Sequence, residues 1–260
     1  MAKLTIYDIK QAKGKRQLAQ VFATNVEEAE ACEAAGVDMM CTMGGNVSRF
    51  RSLAPSVFII AAIDCGATAD DAVRSGMQAL GSGADAIYCG ISTERVKVMS
   101  REHIPVVGHV GLVPYRATFV GGLRAVGKTA EEAMQVYRDT KAYEEAGALG
   151  VEMEVVPHQI AAEISKRTSI CCISMGAGTG CDVQYLFSCD ILGTHDGHYP
   201  RHAKKYRDLR LELAKIQAER VAAYKEYTDD VHSEAYPEPA QLVEANPDEL
   251  AKFQEMLAGE

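Results

Sequence analysis

The chain alternates short apolar runs with amphipathic segments along most of its length. The segments between the apolar runs mostly have helical spacing and helix-capping residues, such as Thr129-x-x-Glu132, although 44–56 predicts only a weak helix. Strands are predicted at 19–24, 37–42, 57–64, 84–90, 104–111, 149–156, 169–176 and 190–194. Nearly continuous apolar strands separated by helices are typical of a parallel sheet covered on both faces. Eight such units in 260 residues predict a closed (β/α)₈ TIM barrel.

The last part of the sequence departs from this repeat. We expect the barrel to occupy residues 1–205 and a helical extension to occupy residues 206–260. Residues 206–227 have apolar side chains at helical spacing and predict one long helix. We expect the extension to pack on the barrel or on a neighbouring subunit.

Composition limits the kinds of binding partner and the cellular compartment that are expected for this chain. A net charge of −9 and a pI near 5.3 argue against nucleic acid or an anionic membrane as the main partner. The N-terminus has no signal-peptide core, and the longest apolar run, "VFIIAAI", is too short to span a bilayer. Eight cysteines form no C-x-x-C pair, so buried free thiols in a reducing cytoplasm are expected rather than disulfides or zinc ligands.

The sixth predicted strand, "GVEMEVVP", contains two glutamates in an apolar setting. Glu152 and Glu154 are two residues apart, so both side chains point to the same face of the strand. Because inward-facing residues at the C-terminal mouth of a barrel are where such folds place their chemistry, we predict that both face the lumen. Two neighbouring carboxylates cannot both ionise cheaply. We expect Glu154 to be the acid–base residue and Glu152 to set its proton affinity; an alternative is that one glutamate caps a strand or pairs with an arginine.

Other strand ends supply further candidates. Asp64 ends the third strand and is a candidate for metal or substrate binding, or for capping the helix that follows. His109 lies between Gly108 and Gly111 in the fifth strand, where the glycines leave room for a ligand to approach. The segment "MGAGTG" follows the seventh strand. Its backbone amides, around Gly176 and Gly178, are candidates for binding a carboxylate or phosphate.

Three histidines follow the eighth predicted strand in "THDGHYPRH" (194–202). Their spacing matches no zinc signature, so we do not expect a metal site in this segment.

From about Ile104 to Tyr206 the chain resembles the ketopantoate hydroxymethyltransferase family. The resemblance rests on the order and spacing of "IPVVGHVGLVP", "FVGGLRAVGKTAEEA", "AYEEAGALGVEMEVVP", "SMGAGTGCDVQ" and "GTHDGHYPRHAKKY". The family belongs to the phosphoenolpyruvate mutase/isocitrate lyase superfamily of barrels. The resemblance implies that the protein forms a homo-oligomer, which in that family is often a decamer. It also implies a role like the one that the family has in pantothenate biosynthesis.

In that family Mg²⁺ binds a 2-oxo acid, and a glutamate on the sixth strand helps to form an enolate that attacks a one-carbon unit from methylenetetrahydrofolate. By position, Glu154 matches the catalytic glutamate. His109 matches the histidine of the family's G-H-x-G-L motif at the substrate end of the barrel.

The family's metal-binding motifs are altered in this chain. Gly44 and Gly45, which are candidates for substrate binding, occupy the positions of an Asp that binds metal and a Ser that contacts the oxo acid. Ala62 replaces a second metal-binding Asp, with Asp64 two residues further on, and Tyr88–Gly90 replaces a K-x-E motif. Hard cations need several oxygen ligands, so these changes predict weak or no Mg²⁺ binding at the family's usual place, with Asp64 as the remaining candidate ligand. Without a metal, His109, Tyr88 and backbone amides are the candidates for stabilising an enolate oxyanion.

Three hypotheses for function follow from the sequence. The first is an enzyme that acts on a small 2-oxo acid or related carboxylate through an enolate, as a hydroxymethyltransferase or carbon–carbon lyase. The second is a metal-independent enzyme of another class, such as a hydrolase, on the same barrel. The third is a non-catalytic member of the family, for which the altered metal motifs are the evidence.

Overall fold

Eight parallel strands form a closed barrel in the computed structural model, which describes residues 3–259. Each strand pairs with its neighbours in sequence, and the last pairs with the first to close the barrel. The strands are β1 (Leu18–Phe22), β2 (Met39–Met43), β3 (Phe58–Ala62), β4 (Ala86–Tyr88), β5 (Val106–Gly111), β6 (Gly150–Glu154), β7 (Cys171–Met175) and β8 (Val183–Phe187). The predicted TIM barrel is therefore confirmed.

The eighth strand was expected at 190–194, and this prediction is wrong. β8 lies at Val183–Phe187, in register with β1 along its length. Residues Ser188–Leu192 instead form a short helix, α8, which ends at Gly193 in the left-handed conformation. The true strand, "VQYLF", contains the polar Gln184 between apolar residues, so a search for continuous apolar runs does not detect this strand. In the barrel the side-chain amide of Gln184 donates a hydrogen bond to the carbonyl of Gly178.

Helices connect most of the strands, and local capping explains where several of them begin. The α-helices that precede α8 are α1 (Ile6–Ala12), α2 (Val26–Ala35), α3 (Val47–Leu53), α4 (Ala69–Gly81), α5 (Thr93–Arg101), α6 (Ala130–Glu145) and α7 (His158–Ser165). Helix α3 follows a 3₁₀ turn and is the weak helix of the prediction. The Thr129 hydroxyl caps α6, but the Glu132 carboxylate binds Arg124 and the amide of Gly127, so the reciprocal half of the predicted capping box does not form.

Two apolar layers form most of the interior of the barrel unit. The lower lumen is filled by inward-facing side chains that include Leu18, Met39, Phe58, Ile60, Ala86, Val107, Ile173 and Val183. A second layer packs the outer face of the strands against the helices. Burial of this apolar surface is the main favourable contribution to folding. Because the lower lumen is closed, any ligand reaches the barrel from its C-terminal end.

The cysteines behave as apolar core residues. All eight are free thiols, and seven of them are buried, as the sequence predicts. No helix within residues 3–259 is long and apolar enough to cross a bilayer.

The described chain divides into two units, one that ends at Asp208 and one that begins at Leu209. The second unit contains a long helix, α9 (Arg210–His232), a 3₁₀ turn (Pro239–Gln241) and a shorter helix, α10 (Pro247–Leu257). Asn246 caps α10 by accepting hydrogen bonds from the amides of Asp248 and Glu249.

Candidate active site

The C-terminal end of the barrel encloses a cavity of about 420 Å³, named here the lumen cavity. Two imidazoles and three carboxyl groups reach it from strands β5 and β6 and from the chain that follows β8. It is lined by Phe22, Cys41, Ala62, Tyr88, His109, Pro114, Tyr115, Glu152, Glu154, Met175, Tyr185, Leu186, Phe187, Asp190, Pro200 and His202. The prediction that Glu152 and Glu154 both face the lumen is confirmed.

His109 lies between the two glutamates. It is buried on β5, directly opposite Glu152 in the register with β6. Its Nε2 atom is 3.1 Å from Oε2 of Glu154, and its Nδ1 atom is 3.7 Å from Oε2 of Glu152. The hydroxyl of Tyr88 lies 2.7 Å from the same Nδ1 atom. The imidazole of His109 thus lies between one phenol and two carboxyl groups.

Tyr88 determines which nitrogen of His109 carries the proton. Burial, and then the negative charge of Glu152, raise the pKa of Tyr88 well above its ordinary value. The phenol therefore stays protonated, and we assign its O–H as the donor to Nδ1, which leaves the proton of a neutral imidazole on Nε2. That nitrogen makes no well-aligned hydrogen bond to any described residue, although Glu154 is close. His109 Nε2–H is therefore a donor available to a ligand.

Glu152 is the carboxyl group with the most strongly altered proton affinity in the cavity. Burial raises its pKa to about 7; His109 opposes this rise and Glu154 adds to it. Its Oε1 atom has no hydrogen-bond partner among residues 3–259. A buried carboxyl group that titrates near neutral pH and has an unpaired oxygen beside a cavity is typical of a general acid or base.

Gly90 makes room for the pairing of Tyr88 with His109. A Cβ atom at position 90 would lie 2.8 Å from the Tyr88 hydroxyl oxygen and 3.0 Å from the Cβ of His109. The first contact would force Tyr88 to move and the second is tight, so a glycine just after β4 favours this pairing. In the sequence, the glycine of "YCG" is the signal for this pairing.

Two residues from the chain that follows β8, which were not predicted from the sequence to belong to the site, also line the lumen cavity. These residues are Asp190, from α8, and His202. Burial lowers the pKa of His202, and the nearby carboxylates of Glu154 and Asp190 oppose that change. Ligand atoms of Cys189, Asp190 and His195 lie within 4.8 Å of one another. Both nitrogens of His195 already have partners, because Nε2 lies 3.0 Å from Asp190 Oδ1 and Nδ1 accepts from an amide.

Three residues proposed as substrate or metal contacts lie away from the lumen cavity. Asp64 is exposed, and its Oδ1 accepts a hydrogen bond from the amide of Gly66, which is a local turn contact. Gly44 and Gly45 begin the 3₁₀ turn after β2, and neither lines the cavity. The structure therefore does not bring these three residues together with the glutamates.

Gly176 and Gly178 line a second cavity, of about 770 Å³, beside the first. Both have a left-handed backbone, with φ of 75° and 85°. Tyr185, Leu186 and His202 line both cavities.

The residues at the ends of β2, β3 and β4 do not fit Mg²⁺. From these strands the lumen cavity receives Cys41, Ala62 and Tyr88, none of which is a carboxylate. Mg²⁺ prefers octahedral oxygen ligands, and in proteins it is bound through carboxylates. The altered sequence motifs therefore form a part of the cavity wall, at β2–β4, that has no carboxylate ligands for Mg²⁺.

Comparisons with known proteins agree with this architecture. Residues 18–239 match the model of the family described as ketopantoate hydroxymethyltransferase. The 3-methyl-2-oxobutanoate hydroxymethyltransferase of Cenarchaeum symbiosum is 35% identical over 206 residues, which cover 78% of this chain and 76% of that protein. The enzyme of the same name from Staphylothermus marinus is 32% identical and covers 92% of this chain and 95% of its own.

Solved structures with a similar fold are more distant in sequence. A crystal structure of 2,3-dimethylmalate lyase, a member of the PEP mutase/isocitrate lyase superfamily, superposes with a TM-score of 0.55 at 12% identity, and the match covers 99% of this chain and 100% of the lyase. Phosphonopyruvate hydrolase, in a complex with oxalate and Mg²⁺, gives a TM-score of 0.50 at 16% identity, with 98% of each chain covered. These likenesses concern the fold. The extent of the family match, together with relatives more than 30% identical over most of their length, shows that the chain belongs to the ketopantoate hydroxymethyltransferase family.

Proposed function

We propose that this protein removes a proton from the carbon beside the carbonyl group of a small 2-oxo acid and transfers a hydroxymethyl group to that carbon. The observation that carries the proposal is Glu152, whose buried carboxyl group titrates near neutral pH with one oxygen unpaired beside the cavity. The relatives' shared name, 3-methyl-2-oxobutanoate hydroxymethyltransferase, supplies the substrate class.

The proton transfer is assigned to the chain's own side chains. The C3–H bond of the oxo acid breaks, its proton moves to the Glu152 carboxylate, and its electron pair forms the C2–C3 double bond of an enolate. The His109 Nε2–H donates to the oxygen on C2, where negative charge develops. Tyr88 is a positioning residue, because its hydroxyl holds His109 through Nδ1. Glu154 lies 3.1 Å from the other nitrogen and forms part of the wall beside it.

This assignment exchanges the roles that the sequence predicts for the two glutamates. From the sequence, the acid–base role is expected at Glu154, which is nearer the mouth. Glu154 lies against His109, whereas Glu152 is deeper, has the raised pKa and keeps a free oxygen. We therefore place the acid–base role on Glu152.

The second half of the reaction rests on the family alone. Transfer of a hydroxymethyl group requires a one-carbon donor, and methylenetetrahydrofolate is the donor in the family that the sequence resembles. The proposed mechanism passes no step through Mg²⁺, because the cavity wall at β2–β4 lacks carboxylates.

Solvent exchange tests the first half without the donor. We expect 3-methyl-2-oxobutanoate in deuterated water, with the protein and a chelator, to lose its C3 proton signal in the NMR spectrum faster than in the absence of protein. Glu145→Gln, at an exposed position of α6, is the matched control and should exchange at the wild-type rate. Failure of the wild-type protein to accelerate exchange of any small 2-oxo acid, with or without Mg²⁺, would refute the proposal.

We also propose a cytoplasmic location and a homo-oligomeric assembly. Eight free thiols favour a reducing compartment, and the family resemblance favours assembly. Light scattering coupled to gel filtration tests the assembly, and a mass equal to one chain would contradict it.

A further inference from the structure

The lumen cavity has few groups that can hold the carboxylate of an oxo acid. None of the described residues that line it is a lysine or an arginine, and only the imidazoles of His109 and His202 can carry a positive charge there. Three carboxyl groups line the same cavity. Because taking a carboxylate out of water is costly unless it is paired and hydrogen-bonded, an anionic substrate needs one of these imidazoles or another free donor.

The phenol groups of the cavity are already engaged within the chain. Each has a hydrogen-bond partner: Tyr88 with His109 Nδ1, Tyr115 with the carbonyl of Gly90, and Tyr185 with the thiol of Cys41. The nitrogen donors that remain on the side chains of the cavity are His109 Nε2–H and the ring of His202. The first is assigned to the oxygen on C2 of the oxo acid, so His202 is left for the carboxylate.

The ring of His202 has no partner within the described chain. Among the histidines of residues 3–259, only His109 and His195 make hydrogen bonds through their ring nitrogens. No salt bridge between described residues includes His202. The two carboxyl groups whose charges act on it lie against other imidazoles: Glu154 is 3.1 Å from His109 Nε2, and Asp190 is 3.0 Å from His195 Nε2. His202 is therefore available to a ligand.

Gly176 allows the His202 ring to lie against the loop after β7. A Cβ atom at position 176 would lie 2.8 Å from both Cγ and Nδ1 of the ring. The ring is half-buried at this place and lines the lumen cavity. A side chain that already lies in the cavity wall loses less conformational freedom when a ligand binds to it.

We propose that His202, in its protonated form, binds the carboxylate of the 2-oxo acid while His109 Nε2–H donates to the oxygen on C2. This inference rests on the proposed function for the identity of the ligand. His202 is a substrate-binding residue and takes no part in the proton transfer at C3. It should therefore determine the affinity for the oxo acid and leave the rate of the bound complex to Glu152 and His109.

The charges around His202 give this binding a pH dependence. Burial lowers the pKa of His202 below its ordinary value; the carboxylates of Glu154 and Asp190 oppose this change and Arg201 adds to it. The other basic side chains in the second cavity, which His202 also lines, are Lys128, His158 and Lys204. A bound carboxylate stabilises the imidazolium and should raise the pKa of His202. The affinity for the oxo acid should therefore fall as the pH rises through the pKa of the free ring.

Removing the charge from the protein or from the ligand tests the inference. We would titrate 3-methyl-2-oxobutanoate and its methyl ester by calorimetry at pH 6 into the wild-type protein, His202→Gln and His198→Gln. A hydrogen bond to a charged group is worth about 10- to 100-fold in affinity, so the wild-type protein should bind the acid at least about tenfold more tightly than the ester. His202→Gln should lose this preference. His198→Gln, at an exposed position of the same segment, is the matched control and should keep it.

Two further measurements separate binding from a structural role. In solvent exchange, His202→Gln should raise the KM for the oxo acid by the factor lost in affinity and leave the maximal rate nearly unchanged. In the NMR spectrum of the wild-type protein, the C2–H signal of His202, identified by its absence from His202→Gln, should titrate at higher pH when the oxo acid is present. The ester comparison needs only the wild-type protein, so it decides the matter even if the variant does not fold.

Several outcomes would overturn the inference. Equal affinities of the wild-type protein for the acid and the ester would do so, as would an undiminished affinity of His202→Gln for the acid or a His202 signal whose titration the oxo acid does not change. Binding of the acid that depends on His202, without any solvent exchange, would refute the proposed function and support the carboxylate site. Solvent exchange with an unchanged KM in His202→Gln would support the proposed function and refute this inference.

Discussion

Replacing Glu152 by Gln should make the protein more stable at alkaline pH relative to the wild type. The pKa of Glu152 is raised from the ordinary 4.5 to about 7, so the folded chain binds this proton more tightly than the unfolded chain does. The stability that this proton supplies is complete below pH 4.5 and is lost as the pH rises through 7. The difference between the two pKa values corresponds to about 3 kcal/mol in the free energy of unfolding.

The size of the effect can be stated for a practical pH range. Part of the loss has already occurred at pH 5, so about 2–3 kcal/mol should separate pH 5 from pH 8 for this one group. Gln cannot ionise and has nearly the shape of the protonated acid. The stability of Glu152→Gln minus that of the wild type should therefore rise by about 2–3 kcal/mol between these two pH values. Any constant cost of burying the amide cancels in this comparison.

Urea unfolding at pH 5, 6, 7 and 8, at one protein concentration, measures the effect. Glu145→Gln, the exposed control, should follow the wild type within about 0.5 kcal/mol throughout. Glu154→Gln should reduce the pH dependence, because the Glu154 charge helps to raise the pKa of Glu152. A difference between Glu152→Gln and the wild type that stays constant from pH 5 to pH 8 would refute the raised pKa.

Three further predictions concern the surroundings of Glu152. Tyr88→Phe removes the hydrogen bond to His109 Nδ1 and leaves a buried acceptor unpaired, so it should cost about 1–3 kcal/mol of stability in urea unfolding; an unchanged midpoint would contradict this pairing. Gly90→Ala should slow solvent exchange of the oxo acid by displacing Tyr88 or His109, and an unchanged rate would show that the pairing tolerates the methyl group. Calorimetric titration with Mg²⁺ should give no tight 1:1 signal, and a tight signal abolished by Asp64→Ala would show that Asp64 binds the metal.

The fold and the positions of the glutamates follow from local patterns. The alternation of strands and helices gives the barrel, and the period of two in a strand places Glu152 and Glu154 on one face. The expected face is the lumen, because only the mouth of the barrel tolerates two carboxyl groups. These inferences need only neighbouring residues and the geometry of one strand.

The parts that the sequence does not predict depend on contacts between distant segments. Asp190 and His202 reach the cavity from the chain that follows β8, and the misplaced eighth strand obscured where that segment begins. Which of the two glutamates lies against His109, and which keeps an unpaired oxygen, depends on the register of β5 against β6. The fit of Gly90 beside Tyr88 and His109 appears only when β4 and β5 are side by side.

The pH dependence of solvent exchange tests the central claim most directly. The rate at which the wild-type protein exchanges the C3 proton of 3-methyl-2-oxobutanoate should rise with pH through an apparent pKa of about 7, as Glu152 ionises. Glu152→Gln should lower the rate by roughly 10²–10⁴ and remove that titration, whereas Glu154→Gln should retain a titration shifted to lower pH. A full rate and an unchanged pH profile in Glu152→Gln, with both lost in Glu154→Gln, would contradict the account and return the acid–base role to Glu154.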